Sequence, residues 1–460
     1  MTLHLLTARQ LLDLYGSGKL SPVEATRAIL DRIERLEPVL NATYRLDPAG
    51  ALAAATASED RWRRGEAGAL DGVPAMIKEN IATAGDPVPV GTAASDLTPA
   101  VRDAPPAARL REAGAIILGK TTMPDYGMLS SGLSSLHGLT RNPWALDRNP
   151  GGSSSGAAAG AAAGYGPLHI GTDIGGSIRL PAGWCGLVGF KPSNGRMPID
   201  PPYYGRVAGP LTRTVEDAAQ MMAPLCRPDR RDHMSLPFQP LDWEKLVANV
   251  KGLHIGLMLD AGVGLPVEPE VRAAAEQAAL LFEAAGAIVE PMRPFLTPEM
   301  TEGIDRFWRA RAWADIGPLS DDRKSRILPF ILRWAEGGAR LDGQEVFRGF
   351  SQMYAMRAAA VAAFERFDYV LSPTAPMPAF AADLPCPTDD PARPFEHIYF
   401  TVAYNMSEQP AVSINAGYTP DGLPIGLQIA GQRFDDLGVL RLARAWEQMR
   451  PAQRPWPMND

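Results

Sequence analysis

NPGGSSSGAAAGAAAGYGPLHIGTDIGGSIRLPAGWCG, residues 149–186, is the stretch on which the reading of this 460-residue chain turns. It is almost all Gly, Ala and Ser, with two hydroxyl-bearing knots, Gly151 to Gly156 and Gly171 to Ser177, on either side of an Ala/Gly run. A flexible Gly/Ser linker is polar and solvated throughout. Here residues 157–163 form a helix-favouring run and residues 167–170 read as a short buried strand, so the spacing predicts a packed loop, helix and strand. Glycines crowd beside serines where a backbone needs positive φ or close approach. The successive N–H groups of Ile174, Gly175, Gly176 and Ser177 form a candidate anion nest. A nest beside a hydroxyl is what acyl transfer requires: a nucleophile, and donors for the oxyanion that develops on attack. The six histidines are scattered, and His169, mid-strand, reads as packed, so no imidazole base is evident.

The run GGSSSG followed by GTDIGGSIRLPAGWCGLVGFKPS resembles the signature region of the amidase signature family of Ser-cisSer-Lys hydrolases. That family carries a lysine upstream, in a strand ending G-V-P-x-x-[IV]-K-[DE]-N, and residues 72–80 read GVPAMIKEN. The resemblance implies that Ser177 is the nucleophile, Ser153 a bridging serine on a cis peptide, and Lys78 the base. It extends through residues 109–120, 142–144 and 421–428, and covers most of the chain from about residue 65 to 225. Glu79 and Asp125 stand where the family more often has Asp and Glu, and Ser155 and Ala157 depart inside the first knot; these leave subfamily and substrate open. The family implies no cofactor and no metal.

The lysine chemistry also follows from the residues. A solvated lysine titrates near 10.4 and is no base at neutral pH. Buried among small residues without a carboxylate partner, its charged form is disfavoured and its pKa falls. Neutral Lys78, after the apolar run 73–77, then accepts a proton from Ser153, which accepts one from Ser177. Thr172, Ser154 and Ser130 are expected to support this relay from behind. Asp173 and Arg179 are expected to pair and hold the loop, with a second-base role for Asp173 as the alternative. The resemblance implies that Met128 and Leu129, in the family's loop beside the lysine, line the acyl pocket, and Cys185 reads as a packed small residue.

An apolar fraction of 46% and a charged fraction of 21% are those of a globular protein, and the net charge of −7 argues against nucleic acid as the partner. Three unevenly spaced cysteines support neither a disulfide framework nor a metal site. With no basic leader and no uncharged apolar run of about 20 residues, the expectation is a cytoplasmic protein with no membrane association, monomeric or homodimeric. Alternating helix and strand patterns, including two similar helix-Gly-strand units ending near residues 118 and 290, predict an α/β class. The family implies one large domain over 1–460, a mixed sheet surrounded by helices. Residues 1–65 are expected to be a helical segment. Residues of about 227–400 are expected to form a more variable substrate-side region, with 227–250 a surface excursion and most aromatics of 300–354 in core.

The expected function is hydrolysis of carboxylic amides, acting on small apolar or aryl substrates. A carbamate or ester hydrolase of the same family is the first alternative. The amidase subunit of a tRNA-dependent amidotransferase is the second.

Overall fold

Two capping boxes start the chain. Thr7 with Gln10 begins the helix Ala8–Gly16, and Ser21 with Glu24, followed by Pro22 in the first turn, begins Pro22–Leu40. Ile29, Ile33, Leu36 and Leu40 recur at helical spacing and are buried as one stripe. The first 65 residues are not all helical, however. Thr43–Leu46 is a strand that pairs antiparallel with Ile116–Thr121 at one edge of the sheet. Four residues are too short a run to show a period, so only the ladder reveals it. The helix Pro48–Arg64 follows and stops at Gly65, which takes the left-handed conformation.

In the computed structural model, which describes residues 2–458, these elements belong to one domain built on an eleven-stranded mixed sheet flanked by helices. The ends of the expected 1–460 domain lie outside the described residues. The strand order from that edge is Thr43–Leu46, Ile116–Thr121, Pro74–Lys78, Leu168–Asp173, Val207–Thr212, Val188–Lys191, Ala411–Tyr418, Pro424–Gly431, Tyr369–Pro373, His254–Leu257 and Ile288–Pro291. Pro74–Lys78 lies at the heart of the parallel part, between Ile116–Thr121 and Leu168–Asp173. Both faces of these strands are covered, which is why they read as continuous apolar runs. The two helix-Gly-strand units are Pro105–Glu112 with Ile116–Thr121, and Pro269–Ala284 with Ile288–Pro291. Gly114 and Gly286, both at positive φ, make the turns, and each strand joins a parallel neighbour.

The expected strand at 167–170 runs on to Asp173. Gly171, Thr172 and Asp173 carry no strand pattern of their own and are held by register against Gly209, Ala208 and Val207. The helix Ser155–Ala163 is buried along its whole length. Its small residues let backbones meet: a Cβ on Gly156 would lie 2.1 Å from the Ala42 carbonyl.

Residues 227–250 contain neither helix nor strand, as a surface excursion should, with Trp243 buried as their anchor. The wider 227–400 region divides in two. His254–Leu257, Ile288–Pro291 and Tyr369–Pro373 extend the main sheet. The helices Pro298–Ile316 and Pro329–Glu336 instead contribute to a second apolar cluster with Leu129, Leu180 and Trp184 of the signature region. Of the aromatics expected in core there, Trp308, Phe330 and Trp334 are buried, while Phe347 and Tyr354 on Gly343–Ala363 are 67% and 51% exposed. No helix among the described residues is long and apolar enough to cross a membrane.

Candidate active site

Lys78 closes the strand Pro74–Lys78 with no accessible surface. Its Nζ lies 2.8 Å from Ser153 Oγ, 3.1 Å from Ser154 Oγ and 3.1 Å from Thr172 Oγ1. Among the described residues no carboxylate lies within ion-pair distance of it. Burial holds its pKa well below the ordinary lysine value; the positive charge of Arg206 adds to the shift, and Asp173 and Glu79 oppose it only in part. Ser154 O–H donates to the Thr172 carbonyl at 3.3 Å and Thr172 O–H to Asn80 Oδ1 at 3.4 Å. Glu79, next along the chain, turns away and pairs with His137.

Ser153 follows a cis peptide from Gly152, as the resemblance expects. Its hydroxyl reaches a cavity that Ser177 also lines. The two knots are joined through the main chain, where Ser154 N–H donates to the Ser177 carbonyl at 3.2 Å. No hydrogen bond joins Ser153 Oγ to Ser177 Oγ among the described residues. Catalytic contacts of this kind are often loose until substrate is bound.

Asp173 and Arg179 form a buried bidentate pair: Arg179 Nε donates to Oδ2 at 3.0 Å and Nη2 to Oδ1 at 2.9 Å. Asn405, Thr401 and Gln428 satisfy the rest of the guanidinium and carboxylate. Burial alone would raise the Asp173 pKa, but the adjacent Arg179 charge and its hydrogen bonds reverse this and hold the carboxyl well below its usual range. Asp173 also accepts from Gly176 N–H at 2.8 Å and Ile178 N–H at 3.1 Å, which fixes the loop on both sides of Ser177. Replacing Asp173 with Asn leaves Arg179 an uncompensated buried cation, so D173N is expected to lose about 3 kcal/mol or more of unfolding free energy, read by chemical denaturation. Undiminished stability with lost activity would instead make Asp173 a participant in the chemistry.

That network corrects the four-donor nest. Gly176 N–H is committed to Asp173, because Gly176 at φ +127° turns its amide back into the loop. Ile174, Gly175 and Ser177 keep N–H groups without a protein acceptor among the described residues, and all three border the recess beside Ser177. This recess is also walled by Met128, Leu129 and Ser130, the weaker candidates from sequence, and by Trp308, Arg311, Phe395 and Ile398. A second, larger chamber adjoins it and is lined by Ser153, Thr172, Arg206 and Arg311. The two arginines carry no local sequence signal. Cys185 lies away from both chambers, buried, its thiol pushed well up by desolvation.

The Amidase family profile matches residues 24–440, and the chain belongs to the amidase signature family, whose members act on C–N bonds. A glutamyl-tRNA(Gln) amidotransferase subunit from Geobacter metallireducens is 36% identical, over 97% of this chain and 98% of that one. Among solved structures, a bacterial aryl acylamidase superposes with a TM-score of 0.91 at 31% identity, covering 98% of each chain. The peptide amidase from Stenotrophomonas maltophilia superposes with a TM-score of 0.85 at 26% identity, covering 99% of each.

Proposed function

We propose that this protein is a stand-alone hydrolase that cleaves carboxylic amides by way of an acyl-enzyme on Ser177. The observation that carries the reading is Lys78: a desolvated amine with three hydroxyl neighbours and no carboxylate. A neutral amine has two N–H donors and one lone pair. Ser154 and Thr172 have acceptors for their own protons and so take the two N–H bonds, which leaves the lone pair for the Ser153 O–H. Ser153 then takes the Ser177 proton as Ser177 Oγ attacks the carbonyl, with N–H groups of Ile174, Gly175 and Ser177 facing the oxyanion. The proton returns through Ser153 to the leaving nitrogen as the C–N bond breaks. Water, activated by the same relay, hydrolyses the acyl-enzyme and releases the acid. We place the protein in the cytoplasm, in keeping with its three free thiols.

Because the base must be neutral, kcat/KM is expected to rise with pH through an apparent pKa below the ordinary lysine value, and to fall again in acid as Lys78 is protonated. The value belongs to the coupled lysine and serines together. A profile flat from about pH 6 to about pH 10 would remove Lys78 as base.

The reading as part of an amidotransferase is favoured by the Geobacter relative. Against it stands the cleft: glutamine brings an α-ammonium that needs an acidic partner, and the sole acid lining the two chambers among the described residues, Asp173, is spent on Arg179. Glutaminase assay of the purified chain alone separates the two, since glutamine turnover would favour the amidotransferase reading.

A further inference from the structure

Two cations in the cleft lack an acidic partner. Of the buried arginines, Arg179 pairs with Asp173 and Arg196 with Asp436, and Arg213 donates to main-chain carbonyls. Arg206, just before the strand Val207–Thr212, and Arg311, on the helix Pro298–Ile316, form no ion pair among the described residues. Arg206 donates only a long bond to the Asn80 carbonyl, at 3.4 Å. Arg311 lies over the uncharged ring of Tyr203, 4.2 Å from its centroid. Burial and the neighbouring Arg311 charge pull the Arg206 pKa down to about 10, with no acid opposing them. Both side chains are partly exposed to the chamber, where two like charges repel without a counter-anion, and a guanidinium fork matches a carboxylate in shape and charge.

The chambers divide the substrate. Ser177 and Arg311 border both, whereas Ser153 and Arg206 border only the second. The leaving nitrogen takes its proton from Ser153, so the amine half of the substrate lies on the Arg206 side, with Arg311 at the junction of the two chambers. The acyl half then fills the recess of Trp308, Phe395 and Ile398. Building on the amide-hydrolase reading above, we infer that the substrates are N-acylated amino carboxylates, with an apolar or aryl acyl group in that recess and a carboxylate on the leaving amine held by Arg206 and Arg311. Hydrolysis adds water across the C–N bond and yields a free carboxylic acid and an amino carboxylate.

The test uses four ligands: benzanilide, 4-benzamidobenzoate, its neutral 4-carboxamide isostere, and the reversed isomer with the carboxylate on the benzoyl ring. Binding is measured by calorimetry on the Ser177→Ala protein, and kcat/KM on the active enzyme. In both, 4-benzamidobenzoate is expected to exceed the carboxamide by roughly tenfold or more, an advantage that shrinks with added salt. The ratio is expected to fall toward one in Arg206→Gln/Arg311→Gln. Because both ligands meet the same relay, the ratio cancels any effect of Arg206 on Lys78. Arg311→Gln alone, at a part-exposed side chain, should lower the ratio too and serves if the double variant does not fold. Equal affinities, a preference that survives in the variants, or stronger binding of the reversed isomer would overturn the assignment. Hydrolysis of benzanilide without a carboxylate preference sinks this inference and leaves the hydrolase reading intact. Binding preference without hydrolysis of any of the four would sink the hydrolase reading and keep the arginine subsite.

Discussion

Ser177→Ala is expected to abolish hydrolysis of every amide, ester and carbamate the protein accepts, with kcat lower by on the order of 10⁴ to 10⁶-fold. The size follows from what remains. Alanine keeps the Cβ and the backbone, so the Asp173 clamp on Gly176 and Ile178 stays in place and the loop holds its shape. Ile174 and Gly175 still line the recess, so the N–H donors proposed for the oxyanion are retained. What is gone is the oxygen that forms the ester, and water in its place would have to be oriented by a relay built for a serine. A fluorophosphonate, which exchanges fluoride for the serine oxygen at phosphorus, should label the wild type at Ser177 and leave Ser177→Ala unlabelled by mass spectrometry. Label on Ser153 or Ser154 would reverse the two serines' roles.

The α/β class was legible because helical and strand periods alternate along the chain, and the two helix-Gly-strand units sit where their patterns put them, give or take the one or two residues by which helix ends fray. Lys78, Ser153 and Ser177 stood out as candidates because each sits in a local run, one apolar and two rich in glycine, that matches the family's motifs. Their juxtaposition was implied by the resemblance alone, since local pattern does not show that the strands Pro74–Lys78 and Leu168–Asp173 lie side by side. The partners of Arg179 were hidden for the same reason: Thr401, Asn405 and Gln428 stand 222 to 249 positions away, and nothing local marks them. Arg206 and Arg311 escaped because an unpaired cation and a solvated one look alike in a sequence. Trp308 was hidden among the other aromatics of its region at helical spacing. A period shows that a face packs but not what it packs against, and here the face of Pro298–Ile316 meets both core and cleft.

Lys78→Ala is expected to separate amides from esters. For the amide the relay works twice, taking the Ser177 proton on attack and returning it to a nitrogen that leaves poorly unless protonated. For an aryl ester the second transfer matters little, because a phenoxide departs without it. We expect kcat/KM for an anilide to fall by about 10⁴-fold or more and for its matched aryl ester by about 10² to 10³-fold, the usual yield of one lost general base. A matched carbamate, which also expels nitrogen, should follow the anilide, provided it fits the recess. Because alanine at a fully buried site opens a cavity beneath Ser154 and Thr172, Lys78→Met serves as the companion variant: it fills nearly the same volume, supplies no proton acceptor of use, and should give the same split. The rise of activity with pH assigned to Lys78 should vanish in both variants for the ester that remains measurable. Equal proportional losses for anilide and ester would confine Lys78 to activating Ser177 and would send the search for the proton that reaches the nitrogen to another group on the Ser153 side of the cleft.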